Sequence, residues 1–579
     1  MEAGKGNPRL LEWLEKIAEK ESGKELRILQ ELVTSKQEEY LIASKIAEQL
    51  ARIEGEDFLV FLQKAAVYRE AVPLSAYGSL GATSLVEKAV NLTLMEGEIR
   101  PGEEAVYWVT PIIREQEWSK LGEAVQIETH QKAYQWYDEY LTKLEEEKQP
   151  ILHIFWKEAV YHALVSKELL GACKYGVWYA KFLRDNLLYH EQLAFLVDIV
   201  DYFEDLERWK EKVITTKNEV FSIFLNNLGN AYHDLGDLQK ALFYYEQSLA
   251  IALSVYGDKH PKVATCYNNL GNVYYDLGEA LKAIGYYEQS LEINLAVYGD
   301  KHPNVARDYN NLGGAYQDLG DAKKALFYYE QSLAINLSVY GDKHLSVATD
   351  YNNLGEASRF LGDYQKAIDF YVQSLEINML IYGIQHPSVA RDYNKLGLAY
   401  KDLGEVKKAK SYFEQSLEIN MVVYGAQHPS VARDYNNLGI VYRLLGKTQK
   451  AIKHIDKSLE IDIAVYGDKH PNVARDYNNL GLAYKDLGEY QKAIGYYEQS
   501  LGINMTIYGT NHPYIARTKM NIGTVYIDLK DMPNHLITAQ KYLEEAYQTY
   551  MNVLGEEHPD TKNCKSWVDK VEKLINGEG

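Results

Sequence analysis

Cysteine is nearly absent. Three residues in 579, Cys173, Cys266 and Cys564, lie far apart, which excludes a disulfide framework and a CxxC metal pair. Proline is scarce at 13 residues, so little interrupts regular structure. No apolar run approaches the roughly 18 residues of a membrane-spanning helix, and Met1-Glu-Ala-Gly-Lys-Gly6 lacks the apolar stretch of a secretory signal. A cytoplasmic protein with no membrane partner is expected. Positive charge is in deficit: 62 Lys+Arg against 82 Asp+Glu give a formal charge of -20, which argues against nucleic acid as the main partner. No Gly-x-x-x-x-Gly-Lys-Ser/Thr stretch occurs, so the P-loop route to a triphosphate is closed. What is plentiful is tyrosine, 49 residues, pointing to long helices packed through aromatic rings.

Internal periodicity sets the architecture. Gly229, Gly271, Gly313, Gly355, Gly397, Gly439, Gly481 and Gly523 are spaced by 42 residues. Around each recurs a block such as His302-Pro-Asn-Val-Ala-Arg-Asp-Tyr-Asn-Asn-Leu-Gly313, then a second such as Ala325-Leu-Phe-Tyr-Tyr329-Glu-Gln-Ser-Leu333. Val305, Ala306, Tyr309, Leu312, Tyr316 and Leu319 form one apolar stripe, and Ala325, Tyr329, Leu333, Leu337 and Tyr340 another. Pro303 suits a first helical turn, and Gly320 a left-handed stop. Each period is therefore a helical hairpin that buries its stripe only by stacking on the next. The histidines from His260 to His558 follow the same spacing, too far apart to share a metal, and are expected to cap first helices.

These positions resemble the tetratricopeptide repeat (TPR). Gly313 and Ala325 match its small-residue contact between helices, and Tyr316 and Tyr329 match its aromatic positions. The 42-residue period and the Tyr-Gly-x-x-His-Pro linker are similar to the long variant of kinesin light chains and bacterial regulators. An all-α fold is expected: a TPR superhelix of eight units plus a closing helix over 217–579. The eighth unit carries four extra residues near Met532–His535, so Ala539 takes the place that the period assigns to position 535.

Gly6-Asn7-Pro8, running into an apolar helix, resembles the Gly-x-Pro motif in the helical lid of STAND-type signalling ATPases, so 1–38 reads as a lid remnant. Helices over 39–53 and 57–65, a turn through Val72-Pro73-Leu74, a helix over 84–90, and a β-hairpin of 92–97 with 105–109 make 39–118 a winged-helix domain. Its exit, Tyr107-Trp-Val-Thr-Pro-Ile-Ile-Arg114, is similar to the same class, with Thr110 where that class often has a nucleotide-sensing His. Seven Lys/Arg against thirteen Asp/Glu over 39–118 disfavour DNA reading. Residues 119–216 read as a helical arm of degenerate hairpins, and Phe195–Asp201, which superficially resembles a strand ending in a magnesium aspartate, reads as core helix.

In TPR arrays the first helices line the concave face. Two positions before each repeat glycine stand Asn227, Asn269, Asn311, Asn353, Lys395, Asn437, Asn479 and Asn521. A row of carboxamides, which donate and accept, can hold a peptide backbone or a carboxylate; the same row could instead tie neighbouring hairpins together. Arg359, Lys401, Arg443 and Lys485 add a basic run. Departures from the repeat concentrate in units four to six, at Ser358, Phe360, Leu444 and Lys395, where either specificity or neutral drift would place them. The resemblance implies the sensor half of a STAND protein: not an enzyme, with no cofactor and no metal, binding a protein or peptide ligand and autoinhibiting an upstream ATPase. It further implies a fragment that is monomeric, a full-length protein that oligomerises on activation, and a setting in bacterial antiphage defence. The alternative is an adaptor or scaffold of the kinesin-light-chain type, although residues 1–60 sustain no heptads.

Overall fold

The computed structural model describes residues 16, 47, 49–52, 54–80, 83–98, 104–204, 214–530, 532–556 and 558–577. Apart from Lys16, the expected lid remnant at 1–38, with Gly6-Asn7-Pro8, lies outside the described residues. The chain divides into two compact parts, 1–278 and 279–579.

The first part opens with α1 (Glu56–Ala65), β1 (Val72–Pro73), α2 (Leu74–Gly78), α3 (Thr83–Asn91), β2 (Met95–Glu98) and β3 (Val106–Val109). The strands form an antiparallel sheet of order β1-β3-β2, with Val72 opposite Tyr107 and Met95 opposite Val109. The hairpin falls where the sequence places it, but it starts at Met95. Leu92 and Leu94 are buried in the turn before it, and Leu94 N–H closes the end of α3 on Ala89 C=O at 3.0 Å. The short helix α2 has no expected counterpart, because five residues carry too little periodicity to show. Thr110 is buried and donates to Thr93 C=O at 3.1 Å, fastening the end of β3 to the turn after α3.

Then follow α4 (Pro111–Ser119), α5 (Glu123–Glu146), α6 (His153–Val165), α7 (Leu169–Asp185), α8 (Tyr189–Glu204), α9 (Ile214–Asp234), α10 (Leu238–Tyr256) and α11 (Pro261–Asp276). Phe195–Asp201 lies within α8. One core runs without a break from Ala47 to Ala231. A buried polar knot crosses it: Arg69 donates to both oxygens of Glu158 at 3.0 and 2.7 Å and lies 3.5 Å over the Tyr161 ring. Beside it His130 and His162 meet Nδ1 to Nδ1 at 2.8 Å, and burial holds both imidazoles below their ordinary range, hence neutral.

The second part is a stack of helices: α12 (Ala280–Tyr298), α13 (Pro303–Asp318), α14 (Ala322–Tyr340), α15 (Leu345–Phe360), α16 (Tyr364–Tyr382), α17 (Pro387–Asp402), α18 (Val406–Tyr424), α19 (Pro429–Leu444), α20 (Thr448–Tyr466), α21 (Pro471–Asp486), α22 (Tyr490–Tyr508), α23 (Pro513–Asp528), α24 (His535–Leu554) and α25 (Pro559–Ile575). Both parts thus carry an all-α solenoid of hairpins, the first with the small sheet ahead of it.

The punctuation is repeated in detail. Nδ1 of His302, His344, His386, His428, His470 and His512 accepts the backbone N–H two residues on at 3.1–3.2 Å, capping each first helix. Each ring also stacks on the tyrosine four residues before it, with centroids 3.9–4.3 Å apart. Gly320 ends its helix at φ +80°, a conformation costly for any other residue. Gly313 marks the closest approach within the hairpin, but its partner is the Tyr329 ring, one turn beyond the expected Ala325: a Cβ there would lie 2.6 Å from it. In the last unit the added residues are absorbed before α24, so Ala539 is buried beside Gly523.

Candidate functional site

The second helices contribute a polar fixture that the apolar pattern does not announce. Ser290 and Asn294 of α12 donate to the buried Asp308 of α13 at 3.0 and 2.6 Å. The same trio recurs as Ser332, Asn336 and Asp350, as Ser374, Asn378 and Asp392, and as Ser416, Asn420 and Asp434. A further amide arrives from the preceding first helix: Asn310, Asn352 and Asn394 donate to Asp350, Asp392 and Asp434 at 2.7–2.9 Å. Each such carboxylate therefore ties three helices. Burial pushes the carboxyls of Asp308, Asp350, Asp392 and Asp434 up, and the amide and hydroxyl donors oppose it.

Against this frame the expected ligand row can be placed residue by residue. Asn269 donates to Asn226 at 2.9 Å, Asn353 to Asn310 at 3.4 Å, Asn479 to Asn436 at 2.7 Å and Asn521 to Asn478 at 3.0 Å. Lys395 reaches Asn352 at 2.6 Å and pairs with Glu356. Asn227 donates to Ile223 C=O in its own helix, and Asn311 occupies the same position on α13. Asn437 makes no side-chain hydrogen bond among the described residues. So Asn269, Asn353, Lys395, Asn479 and Asn521 tie neighbouring hairpins, whereas Asn227 bonds within its own helix and Asn437 is left over.

The basic run is also engaged. Arg359 pairs with Asp402 at 2.8 Å, Arg443 with Asp486 at 3.0 Å and Lys485 with Asp528 at 3.7 Å, each one unit further on, while Lys401 sits 3.1 Å from Asp402. These cations do not form a free basic patch. Of the departures in units four to six, Ser358 is buried with no partner for its hydroxyl, whereas Phe360 and Leu444 are exposed.

The structure opens a cleft elsewhere, between α21 and α23. Its volume is about 610 Å³, and its walls bring Asn437, Asn479 and Asn521 together with Arg475 and Arg517. A smaller cleft of about 210 Å³ between α13 and α15 is lined by Pro303, Arg307, Asn310 and Ser332, which correspond to Pro471, Arg475, Asn478 and Ser500 four units later. In the smaller cleft Asp350 binds Ser332 and Asn336. Its counterpart is Thr518, whose hydroxyl turns back to Tyr514 C=O at 2.9 Å. Ser500 and Asn504 are left with only each other, at 3.5 Å. One carboxylate is gone and one guanidinium, Arg517, stands where the smaller cleft has Thr349. Arg517 lies 5.0 Å over the Tyr514 ring and pairs with no carboxylate among the described residues. Among the described residues the cleft thus presents an unpaired Arg517 and an unbonded Asn437, and no carboxylate lines it. Sequence reasoning missed Arg517 and Thr518. The signal was the change from Ala-Arg-Asp-Tyr-Asn-Asn to Ala516-Arg-Thr-Lys-Met-Asn521.

Among the described residues no helix is long and apolar enough to cross a membrane, and no group of three or more His, Cys, Asp or Glu could hold a metal.

No curated protein matches the chain. Among solved structures, BtubC (BKLC) from P. vanneervenii is similar at 26% identity and a TM-score of 0.36, covering 40% of this chain and 92% of that one. The apo quorum sensor NprR from B. thuringiensis is similar at 15% identity and a TM-score of 0.48, covering 65% and 97%. A STAND protein with a tetratricopeptide repeat sensor from Pyrococcus horikoshii is similar at 14% identity and a TM-score of 0.46, covering 96% and 70%. The tetratricopeptide repeat family profile matches at 220–296, 267–338, 328–379, 346–421, 388–462 and 432–506. The hairpins across 220–506 are tetratricopeptide repeats.

Proposed function

We propose that this chain is the sensor part of a STAND-type signalling ATPase, and that its repeat array binds an acidic protein or peptide segment in the cleft between α21 and α23. The observation that carries the ligand class is the cleft itself. Among the described residues Arg517 has no carboxylate partner and Asn437 no side-chain partner, and the carboxylate that occupies the equivalent place in an earlier unit is replaced by Thr518. Guanidinium and carboxamide donors around an uncompensated space favour a carboxylate-bearing ligand. The STAND reading is supported by the order of elements from Glu56 to Val109: helix, strand, two helices and a hairpin closing a three-stranded sheet is the order of a winged helix. A helical arm follows it, as that reading requires. The adaptor reading gives no role to residues 56–119. In the STAND reading the ATPase belongs to the segment before this chain, this chain performs no catalysis, and ligand binding relieves autoinhibition.

Fluorescence anisotropy with a labelled Glu/Asp-rich dodecapeptide, against a Lys-rich peptide of equal length, tests the ligand class. The acidic peptide should bind, and Arg517→Ala or Thr518→Asp should each weaken it at least tenfold with helix content unchanged. Equal binding of the two peptides, or indifference to both substitutions, would refute it.

A further inference from the structure

One unit breaks the polar fixture in the opposite sense to Thr518. Where Asn294, Asn336, Asn378 and Asn420 donate an amide to the aspartate of the next helix, the chain places Asp462 against Asp476. Asp462 and Asp476 are fully buried. A second donor is missing as well: Asn394 donates to Asp434, but its counterpart Asn436 makes no bond to Asp476 among the described residues. Two carboxyl groups meet where Asp308, Asp350, Asp392 and Asp434 each accept from an asparagine amide.

We propose that Asp462 and Asp476 hold one proton between them, and that this proton closes the joint between α20 and α21, making it the pH-sensitive joint of the array beside the Arg475–Arg517 cleft.

The surroundings permit one negative charge on the pair and not two. Ser458 of α20 donates to Asp476 Oδ2 at 2.7 Å. Arg475 of α21 places Nη2 3.1 Å from both Asp462 Oδ2 and Asp476 Oδ1, a single cation between two acids. His470, in the turn before α21, is the other titratable group facing the pair. α19 presents Asn436, which is neutral. Asp462 Oδ1 is buried with no hydrogen-bond partner among the described residues, and the side chains of Asp476 and Asn472 both lie close to the Asp462 carboxyl, so a proton on the pair supplies the bond that an asparagine amide makes elsewhere. Desolvation raises both carboxyls, and it carries Asp476 to about 7 against the attraction of Arg475.

The sign of the effect follows from linkage. The folded pair binds its proton more tightly than the unfolded chain does, so its contribution is fully present below the unfolded carboxyl range near pH 4 and is lost as pH rises toward about 7. One proton released on opening corresponds to at most a tenfold change in the opening constant per pH unit. His470 caps α21 just as His428 and His512 cap the first helices on either side, so the cap does not distinguish this joint.

The test compares the full chain with Asp462→Asn, which restores the donor found in the other units, and with Asp476→Asn, which restores it from the other side. Amide protection of α20 and α21, corrected for intrinsic exchange rates, should fall between pH 5.5 and pH 8 in the native chain by at least tenfold more than in α13 to α16. Both variants should flatten that fall. A difference titration of the folded proteins should show the native chain releasing about one more proton than Asp462→Asn over the same interval. Parallel protection profiles in native and variant chains, or equal proton release, would overturn the proposal. So would an Asp462→Asn protein less protected at pH 8 than the native one. If Asp476→Asn fails to fold, the Asp462→Asn comparison decides alone.

Discussion

Gly355 and Gly285 both lie inside helices, and adding one methyl to each should move stability in opposite directions. Gly285 faces open space on α12, with no atom within 4 Å of an added Cβ. Alanine there only removes backbone freedom from the unfolded chain and improves helix propensity, a gain of about 0.5–1 kcal/mol. Gly355 on α15 receives the same gain, but its Cβ would sit 2.6 and 2.7 Å from two ring carbons of Tyr371, which is 1% exposed. A ring packed on all sides cannot withdraw without disturbing its neighbours, and overpacking of this kind costs roughly 1–3 kcal/mol. The net change should be a loss of up to about 2 kcal/mol, so the two variants should separate by about 1–3 kcal/mol. Because each hairpin touches only its neighbours, a global melting curve blurs such local effects. Hydrogen exchange read hairpin by hairpin does not. Protection in α15 and α16 should drop by roughly a factor of ten in Gly355→Ala, while protection in α12 and α13 should rise in Gly285→Ala. Changing the partner offers no relief: Gly397 faces Phe413, Gly439 faces Ile455 and Gly523 faces Leu543, each at 2.4–2.7 Å. If Gly355→Ala proves as protected as Gly285→Ala, the close approach does not govern the hairpin and the reasoning fails.

Arg69→Met should leave Glu158, 2% exposed, as a buried and unpaired carboxylate, and urea unfolding followed by tryptophan fluorescence should show a loss near the lower end of about 3–5 kcal/mol, since Arg69 is itself partly solvated. Adding Glu158→Gln should recover most of that loss. Arg443→Ala, by contrast, breaks a half-exposed pair with Asp486 and should cost only about 0.5–1 kcal/mol at low salt, shrinking further as salt is raised. A loss for Arg443→Ala as large as that for Arg69→Met would show that the inter-repeat ion pairs hold the stack.

The helices of the array were legible because three independent signals agree in most periods. The apolar stripe gives the buried face, the His-Pro start gives the cap, and the glycine gives the stop. What periodicity could not show was the polar half of each contact. Asp308, Asp392 and Asp434 sit between arginine and tyrosine, and Asp350 between Thr349 and Tyr351, and all look like solvent-facing charges. They are buried, because the two preceding helices bring amides to them, and those partners lie 14 and 40 residues earlier in sequence. The ladder of asparagines before the repeat glycine was visible as a row, but its direction was not. A carboxamide that lines a surface and one that ties two hairpins have the same spacing, and only the 2.7–3.4 Å bonds to the neighbouring unit separate them. The basic run was likewise read without its partners, which stand one unit further along.

Departures from a repeat are informative in proportion to how well the fixture they break is satisfied elsewhere. Phe360 and Leu444 replace an aspartate at an exposed position, where an apolar side chain costs little and obliges no neighbour to change. Thr518 and Asp462 break a fixture whose every member is buried and bonded, so each exchange must be compensated in place. The first removes a carboxylate from one side of α21, leaving Arg517 and the carboxamides around an open cleft. The second adds a carboxylate on the other side, against Asp476. Arg475 belongs to both: it lines the cleft and bonds the acid pair. The loss of a carboxylate on the cleft side, while the buried pair keeps a single charge on the other, directs a field through α21 with its positive end in the cleft. A ligand carboxylate there and the buried pair then compete for the same guanidinium, which is why an acidic ligand class and a proton-holding joint are physically compatible at this place in the stack.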